Sequence, residues 1–155
     1  MQNRITKKGF EQLVNKKIEL ILEQQELIKI KAAAGELKDL RENSEYQEAV
    51  ESLSQLGIHL NKLNAFISSA IIIEKIEPKE YVDFGAIVHL ENITNQTKHS
   101  YQIVGDYESD ISKGLISEDS VLAQLLMHKK IDTIVQHRAG TTIKEYKICD
   151  IQYNV

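Results

Sequence analysis

The stretch Tyr46-Gln47-Glu48-Ala49-Val50-Glu51-Ser52-Leu53-Ser54-Gln55-Leu56 decides the fold, because its apolar residues recur at the spacing of a helix that packs along one side. Tyr46, Leu53, Leu60 and Ile67 fall every seventh residue, and Ala49, Leu56, Leu63 and Ala70 fill the complementary positions of the same heptads. Such a seam requires a helical partner. Upstream, Thr6 is placed to cap a helix running from about Lys7 to the low thirties, in which Val14, Ile21 and Ile28 are spaced by sevens and Phe10, Ile18 and Ala32 complete a stripe. The two patterns are similar in length and joined by a short connection. The simplest packing is therefore an antiparallel intrachain hairpin of about 30 residues per arm, or roughly 45 Å of reach. A dimeric coiled coil is the alternative. Gly35-Glu36-Leu37-Lys38 reads as the turn, with Gly35 at a backbone position that tolerates positive φ.

Pro78, the sole proline, lies among Glu74, Lys75, Glu77, Lys79 and Glu80, where the second helix is expected to stop. The boundary placed there divides the chain into a hairpin over 1–77 and a second domain over 78–155. Beyond it the period changes to alternation and short apolar runs. Ala86 to Glu91, Ser100 to Val104, Ile131 to Gln136 and Thr142 to Tyr153 read as strands, and Asp119 or Ser120 starts a helix through Met127. The fold class is α+β.

Of the 155 residues 42% are hydrophobic and 27% charged, enough to bury a core in one or two small domains. A net charge of −4 argues against holding bare nucleic acid by charge alone, so any nucleic acid is expected to be met through a partner. Cys149 is the only cysteine, which excludes an intrachain disulfide and a cysteine zinc site and suits a reducing cytoplasm; it reads as a small buried side chain in a late strand. Met1-Gln2-Asn3-Arg4 leads into a polar helix rather than an apolar signal core, and Ala70-Ile71-Ile72-Ile73 falls far short of the roughly 20 residues a membrane span needs. A cytoplasmic protein without membrane association is expected. The five histidines show no local metal-pair spacing, and no dinucleotide, P-loop or nucleophile-elbow motif is present.

Between the helical patterns lies the acidic string Asp39-Leu40-Arg41-Glu42-Asn43-Ser44-Glu45-Tyr46. Asp39 and Glu42 are three apart, so on a helix their carboxylates share one side and form a half-site for a hard cation such as Mg²⁺. The same spacing fits a helix start, with Asp39 as N-cap and Glu42 near N3. Both readings stand, and they are compatible.

This string resembles the tip motif of the Gre transcript-cleavage factors of bacterial RNA polymerase, Asp-Leu-x-Glu-Asn-x-Glu-Tyr, and is complete at every defined position. The resemblance continues through Ile5-Thr6-Lys7-Lys8-Gly9 with Leu13, Phe84-Gly85-Ala86, Tyr101-Gln102-Ile103-Val104-Gly105 and Ile116 to Leu122, spanning essentially the whole chain. It implies an N-terminal antiparallel coiled coil and an FKBP-like C-terminal α+β domain that docks on the rim of the polymerase secondary channel. By this resemblance Asp39 and Glu42 are the catalytic and metal-holding pair. They would help hold a second, weakly bound Mg²⁺ and its attacking water at the RNA 3′ end of a backtracked complex. Asn43, Glu45, Tyr46, Asp119, Ser120 and Val121 would contact the polymerase. The protein would stimulate cleavage without being a nuclease itself, and is expected to be a monomer.

The chain departs from the family pattern at defined places. Lys38 stands where a glycine usually precedes the tip aspartate, Asp119-Ser120-Val121 replaces Asp-Ser-Pro, and His128 and Asp132 replace two glycines of the next turn. Glu48 and Glu51 lie where some members carry a basic patch near the tip, which points to short cleavage products. An alternative with the same architecture is a channel binder that modulates polymerase without cleavage. A prolyl isomerase is a third class, suggested only by the implied fold, and fold alone does not carry function.

Overall fold

The structure, a computed structural model, describes residues 3–36 and 43–154. The described chain divides into two compact units, residues 10–70 and residues 3–9 with 71–154. The strand-rich unit thus includes residues on both sides of the helices, whereas sequence reading places its start at 78.

The first unit is a helical hairpin. α1 spans Lys7–Gly35 and α2 spans Ser44–Ser69. Thr6 caps α1 as expected, its hydroxyl accepting a 3.0 Å hydrogen bond from the Gly9 N–H. The helices run antiparallel: Ala34 at the end of α1 meets Asn43 at the start of α2, while Leu20 and Glu23 share a groove with Ser52, Leu56 and His59. α2 buries Ala49, Leu56, Leu60 and Leu63 on the expected seam, and Phe66 beside it.

The register of α1 corrects the sequence reading. Leu13, Leu20 and Ala34 are buried, with Leu27 half-buried between them, and Phe10, Lys17, Gln24 and Lys31 form the complementary half-buried column. Of the expected stripe only Phe10 lies on this seam. Val14 and Ile21 flank it half-buried, and Ile18 and Ile28 are about half exposed. Two adjacent columns of α1 both repeat every seven residues, and the more conspicuous β-branched one is not the one facing α2. Gly35 is also corrected: it is the last helical residue of α1 and is not among the glycines with positive φ.

α2 ends nine residues before Pro78. Ala70 is extended (φ −66°, ψ 134°), and Ile71–Ile73 form a strand, β2, paired in parallel with β1, Arg4–Thr6. Three consecutive β-branched residues favour extended backbone, and a waiting partner strand lets them take it.

The second unit holds a five-stranded sheet of order β5-β4-β3-β7-β6, with β3 Ala86–Asn92, β4 Lys98–Val104, β5 Leu115–Ser117, β6 Ile134–Ala139 and β7 Thr142–Tyr153. All neighbours are antiparallel except β4 with β5. Strict alternation in β3 turns Ala86, Val88, Leu90 and Asn92 inward. The short helix α3, Val121–Leu126, lays Ala123 and Leu126 on that face with Ile103 and Ile148. β5, too short to read from alternation, was not expected. Cys149 corrects its reading as well, since it is exposed on β7 next to the buried Ile148.

A buried ionic cluster ties β1 to this unit. Arg4 donates from Nε and Nη2 to Glu118 Oε2 (2.8 and 2.6 Å) and from Nη1 to Asp83 Oδ1 (3.2 Å), over the face of the Phe84 ring at 5.1 Å. Asp83 also pairs with Lys79 and accepts from the Phe84 N–H at 2.7 Å. Burial opposes its ionisation, but the hydrogen bonds from Lys79, the Phe84 N–H and Arg4 outweigh that and hold its pKa below the usual carboxylate range. At Gly105 a Cβ would stand 2.3 Å from the Arg4 carbonyl oxygen, so only glycine lets β1 approach here.

His128 and Asp132 have positive φ, +63° and +68°, and their N–H groups bond to the carbonyls of Val82 and Ile148, both at 2.8 Å. These are the two places where the resemblance expects glycine, a residue suited to left-handed backbone.

Two outcomes follow for stability. His128→Gly should raise unfolding free energy by about 0.5–1 kcal/mol in urea titration, relief of left-handed strain outweighing the 5.9 Å ring contact with Tyr81. Because the folded pKa of Asp83 is depressed, its contribution is complete above the unfolded value near 3.8 and is lost as pH falls through the folded one. Urea midpoints measured between about pH 2 and 5 should therefore fall less steeply with acid in Asp83→Asn than in the wild type.

Candidate functional site

The string that holds Asp39 and Glu42 stands in the chain between α1 and α2, and these two residues lie outside the described residues. What the structure describes is the pair of helix ends that carry them. Asn43 is the N-cap of α2: its Oδ1 accepts from the Tyr46 N–H (3.1 Å), while its Nδ2 donates to the Ala34 carbonyl in the last turn of α1 (2.7 Å). One amide side chain thus satisfies a free donor of one helix and a free acceptor of the other. The cap of α2 is Asn43, so the reading of Asp39 as the cap does not apply to this helix.

Glu45 is exposed in the first turn of α2, where the positive end of the helix favours a carboxylate. Tyr46 is half-buried; a Cβ at Gly35 would stand 3.5 Å from its ring, and Lys31 Nζ lies 5.9 Å from the ring centroid. Asn43 and Tyr46 therefore brace the base of the string. Lys31 is a tip residue that sequence reading missed. Its position on the column Phe10, Lys17, Gln24, Lys31 is the signal that would have found it.

The second candidate segment is Asp119-Ser120-Val121. Asp119 is exposed, with its N–H bonded to Ser117 Oγ at 3.1 Å. Ser120 caps α3, its hydroxyl accepting from the Ala123 N–H at 3.2 Å. Val121 is the first helical residue and is 66% exposed. The first helical position is where proline fits best, since the missing N–H has no helical partner there. Asp119 and Val121 thus offer surface, and Ser120 is occupied with holding the turn. Among the described residues no group of three or more His, Cys, Asp or Glu side chains could hold a metal ion.

Two family models match in succession along the chain: "Transcription elongation factor, N-terminal" over residues 3–72, and "Transcription elongation factor, GreA/GreB, C-term" over residues 77–153. The chain belongs to the GreA/GreB family of transcription elongation factors. Among its relatives, transcription elongation factor GreA of Neorickettsia sennetsu is 38% identical over 123 residues, covering 79% of this chain and 77% of that protein. GreA of Thermosipho melanesiensis is 33% identical over 152 residues, with 96% and 95% covered. Of solved structures, that of GreA factor homolog 1 (Gfh1) from Thermus thermophilus is 21% identical, covers 98% of this chain and 99% of its own, and superposes with a TM-score of 0.48. The helical hairpin and strand-rich α+β unit of this elongation factor follow the order of the two family models.

Asn43→Ala should cost about 1–2 kcal/mol, since both the cap and the bond to Ala34 are lost. Amide hydrogen exchange should speed up selectively at Tyr46 and Gln47, while the amides of β3 and β7 keep their protection.

Proposed function

We propose that this elongation factor enters the secondary channel of RNA polymerase hairpin first and stimulates cleavage of the 3′ end of backtracked RNA, rescuing arrested complexes. The observation that carries the reading is the complete string Asp39-Leu40-Arg41-Glu42-Asn43-Ser44-Glu45-Tyr46 between α1 and α2 in a chain of this family. Asp39 and Glu42 supply carboxylate oxygens, the donor chemistry that suits Mg²⁺. Two carboxylates are too few for a tight site of their own, so the remaining ligands come from the polymerase active centre and the isolated protein is not a nuclease. When bound there, the ion supplies Lewis-acid stabilisation of charge on the phosphoryl oxygens. Asn43 and Tyr46 keep the base of the string in one arrangement, and Asp119 and Val121 offer surface to the channel rim. The protein acts in the cytoplasm, where the polymerase is; among the described residues no helix is long and apolar enough to cross a membrane.

Lys38 favours a second reading, a channel binder that modulates polymerase without cleavage, because it sets a positive charge next to Asp39. Transcript cleavage in a stalled, backtracked complex with the matching polymerase, at fixed Mg²⁺, separates the two. The cleavage reading expects faster loss of 3′ fragments with the protein present; slower elongation with no shortened transcript would replace it with the second. Asp39→Asn and Glu42→Gln should each reduce stimulated cleavage by at least about 100-fold, the upper end of what losing even an outer partner of a metal site costs, while polymerase binding is unchanged.

A further inference from the structure

Asn43 follows Glu42 in the chain, and its side-chain amide is engaged at both ends. Oδ1 accepts from the Tyr46 N–H at 3.1 Å, and Nδ2 donates to the Ala34 carbonyl at 2.7 Å. The first bond is a helix cap that serine, threonine or aspartate would make as well. The second separates them: of these capping side chains, only asparagine can accept the cap bond with one atom and donate an N–H from another. The bridge to α1, not the cap, is what calls for asparagine. We infer that Asn43 is a positioning residue for cleavage: it ties the start of α2 to the end of α1, holds the chain where it leaves Glu42, and thereby sets the Mg²⁺ concentration at which the acidic string works. The inference rests on the reading of Asp39 and Glu42 as a carboxylate pair for Mg²⁺. It gives Asn43 a role inside the chain in place of the polymerase contact that the resemblance implies.

The surroundings of the bridge support this role. Ala34 is 4% exposed, so without the Asn43 amide its carbonyl would lose its partner where water scarcely reaches. Tyr46 closes the same end of the hairpin, with its ring 3.5 Å from where a Cβ on Gly35 would stand. Asn43 is itself half-buried, whereas its neighbours Ser44 and Glu45 are exposed and better placed to meet a partner. A segment whose two ends are held together has fewer arrangements to lose when its carboxylates are ordered around an ion. Two carboxylates make only a weak half-site, so any ordering cost comes directly off the Mg²⁺ affinity.

Stimulated cleavage in the backtracked complex, titrated with Mg²⁺, tests this with Asn43→Ser and Asn43→Thr, which keep a cap and lose the bridge. The Mg²⁺ midpoint should rise about 10-fold, the lower end of what losing an outer partner of a metal site costs, with plateau rate and polymerase binding unchanged. A second readout needs no polymerase. In the ¹³C spectrum of the isolated chain the Ala34 carbonyl resonance should move upfield in both variants, while amide exchange at Tyr46 stays as in the wild type, unlike in Asn43→Ala. An Ala34 resonance that does not move would overturn the inference, as would a midpoint that does not rise. Weaker polymerase binding at an unchanged midpoint would also overturn it and return Asn43 to the polymerase interface. A wild type that stimulates no cleavage at any Mg²⁺ concentration would remove the proposed function and this inference together; wild-type cleavage with unchanged variants removes this inference alone.

Discussion

The guanidinium of Arg4 stands between Glu118 and Asp83, with the Phe84 ring beneath it, and the strand-rich unit is organised from that point. Without the cation, two buried carboxylates would be left without their shared partner, a change that costs several kcal/mol in comparable clusters. Placing Arg4 places β1, and β1 is the strand against which Ile71–Ile73 pair in parallel. It also places Thr6, whose N–H and hydroxyl both donate to the carboxylate of Glu108 (3.0 and 2.5 Å) while its oxygen receives the Gly9 N–H that starts α1. One charged contact near the N-terminus therefore determines where the first helix begins and where the second one stops.

Much of this architecture was legible in the sequence. The seam of α2 could be read because its apolar residues form one heptad column pair with polar residues on both sides. α1 was misread by one column, since Leu13, Leu20, Leu27 and Ala34 repeat as regularly as Val14, Ile21 and Ile28, and the pattern of one helix alone does not say which column its partner takes. The end of α2 was misplaced for a related reason. Pro78 is a visible stop, but the actual one is made by the β-branched run at Ile71–Ile73 meeting a three-residue strand from the far end of the chain. β7 was legible to the residue because it is long and rich in isoleucine and tyrosine; β1 and β5, three residues each, carry too little pattern.

The candidate site divides in the same way. The acidic string is recognised from its residue order, and Ser120 as the start of α3 follows from capping chemistry. The bond from Asn43 to the Ala34 carbonyl was not legible, because it joins residues whose proximity exists only once the hairpin has formed. The departures at His128 and Asp132 could be noticed by comparison with a family pattern, but their meaning is a backbone angle, and no side-chain chemistry in the sequence announces it.

The helical hairpin leaves the strand-rich unit after β1 and rejoins it at β2, and those two strands lie side by side in parallel register, Arg4 with Ile71 and Thr6 with Ile73. In connectivity it is an insertion whose entry and exit are stapled together. Length can then vary independently of the base: removing or adding a matched heptad in each arm would move the acidic string by about 10 Å along the hairpin and leave every contact of Arg4 in place. The reach of such a factor is thus an adjustable quantity, quantised in whole heptads by its own seam.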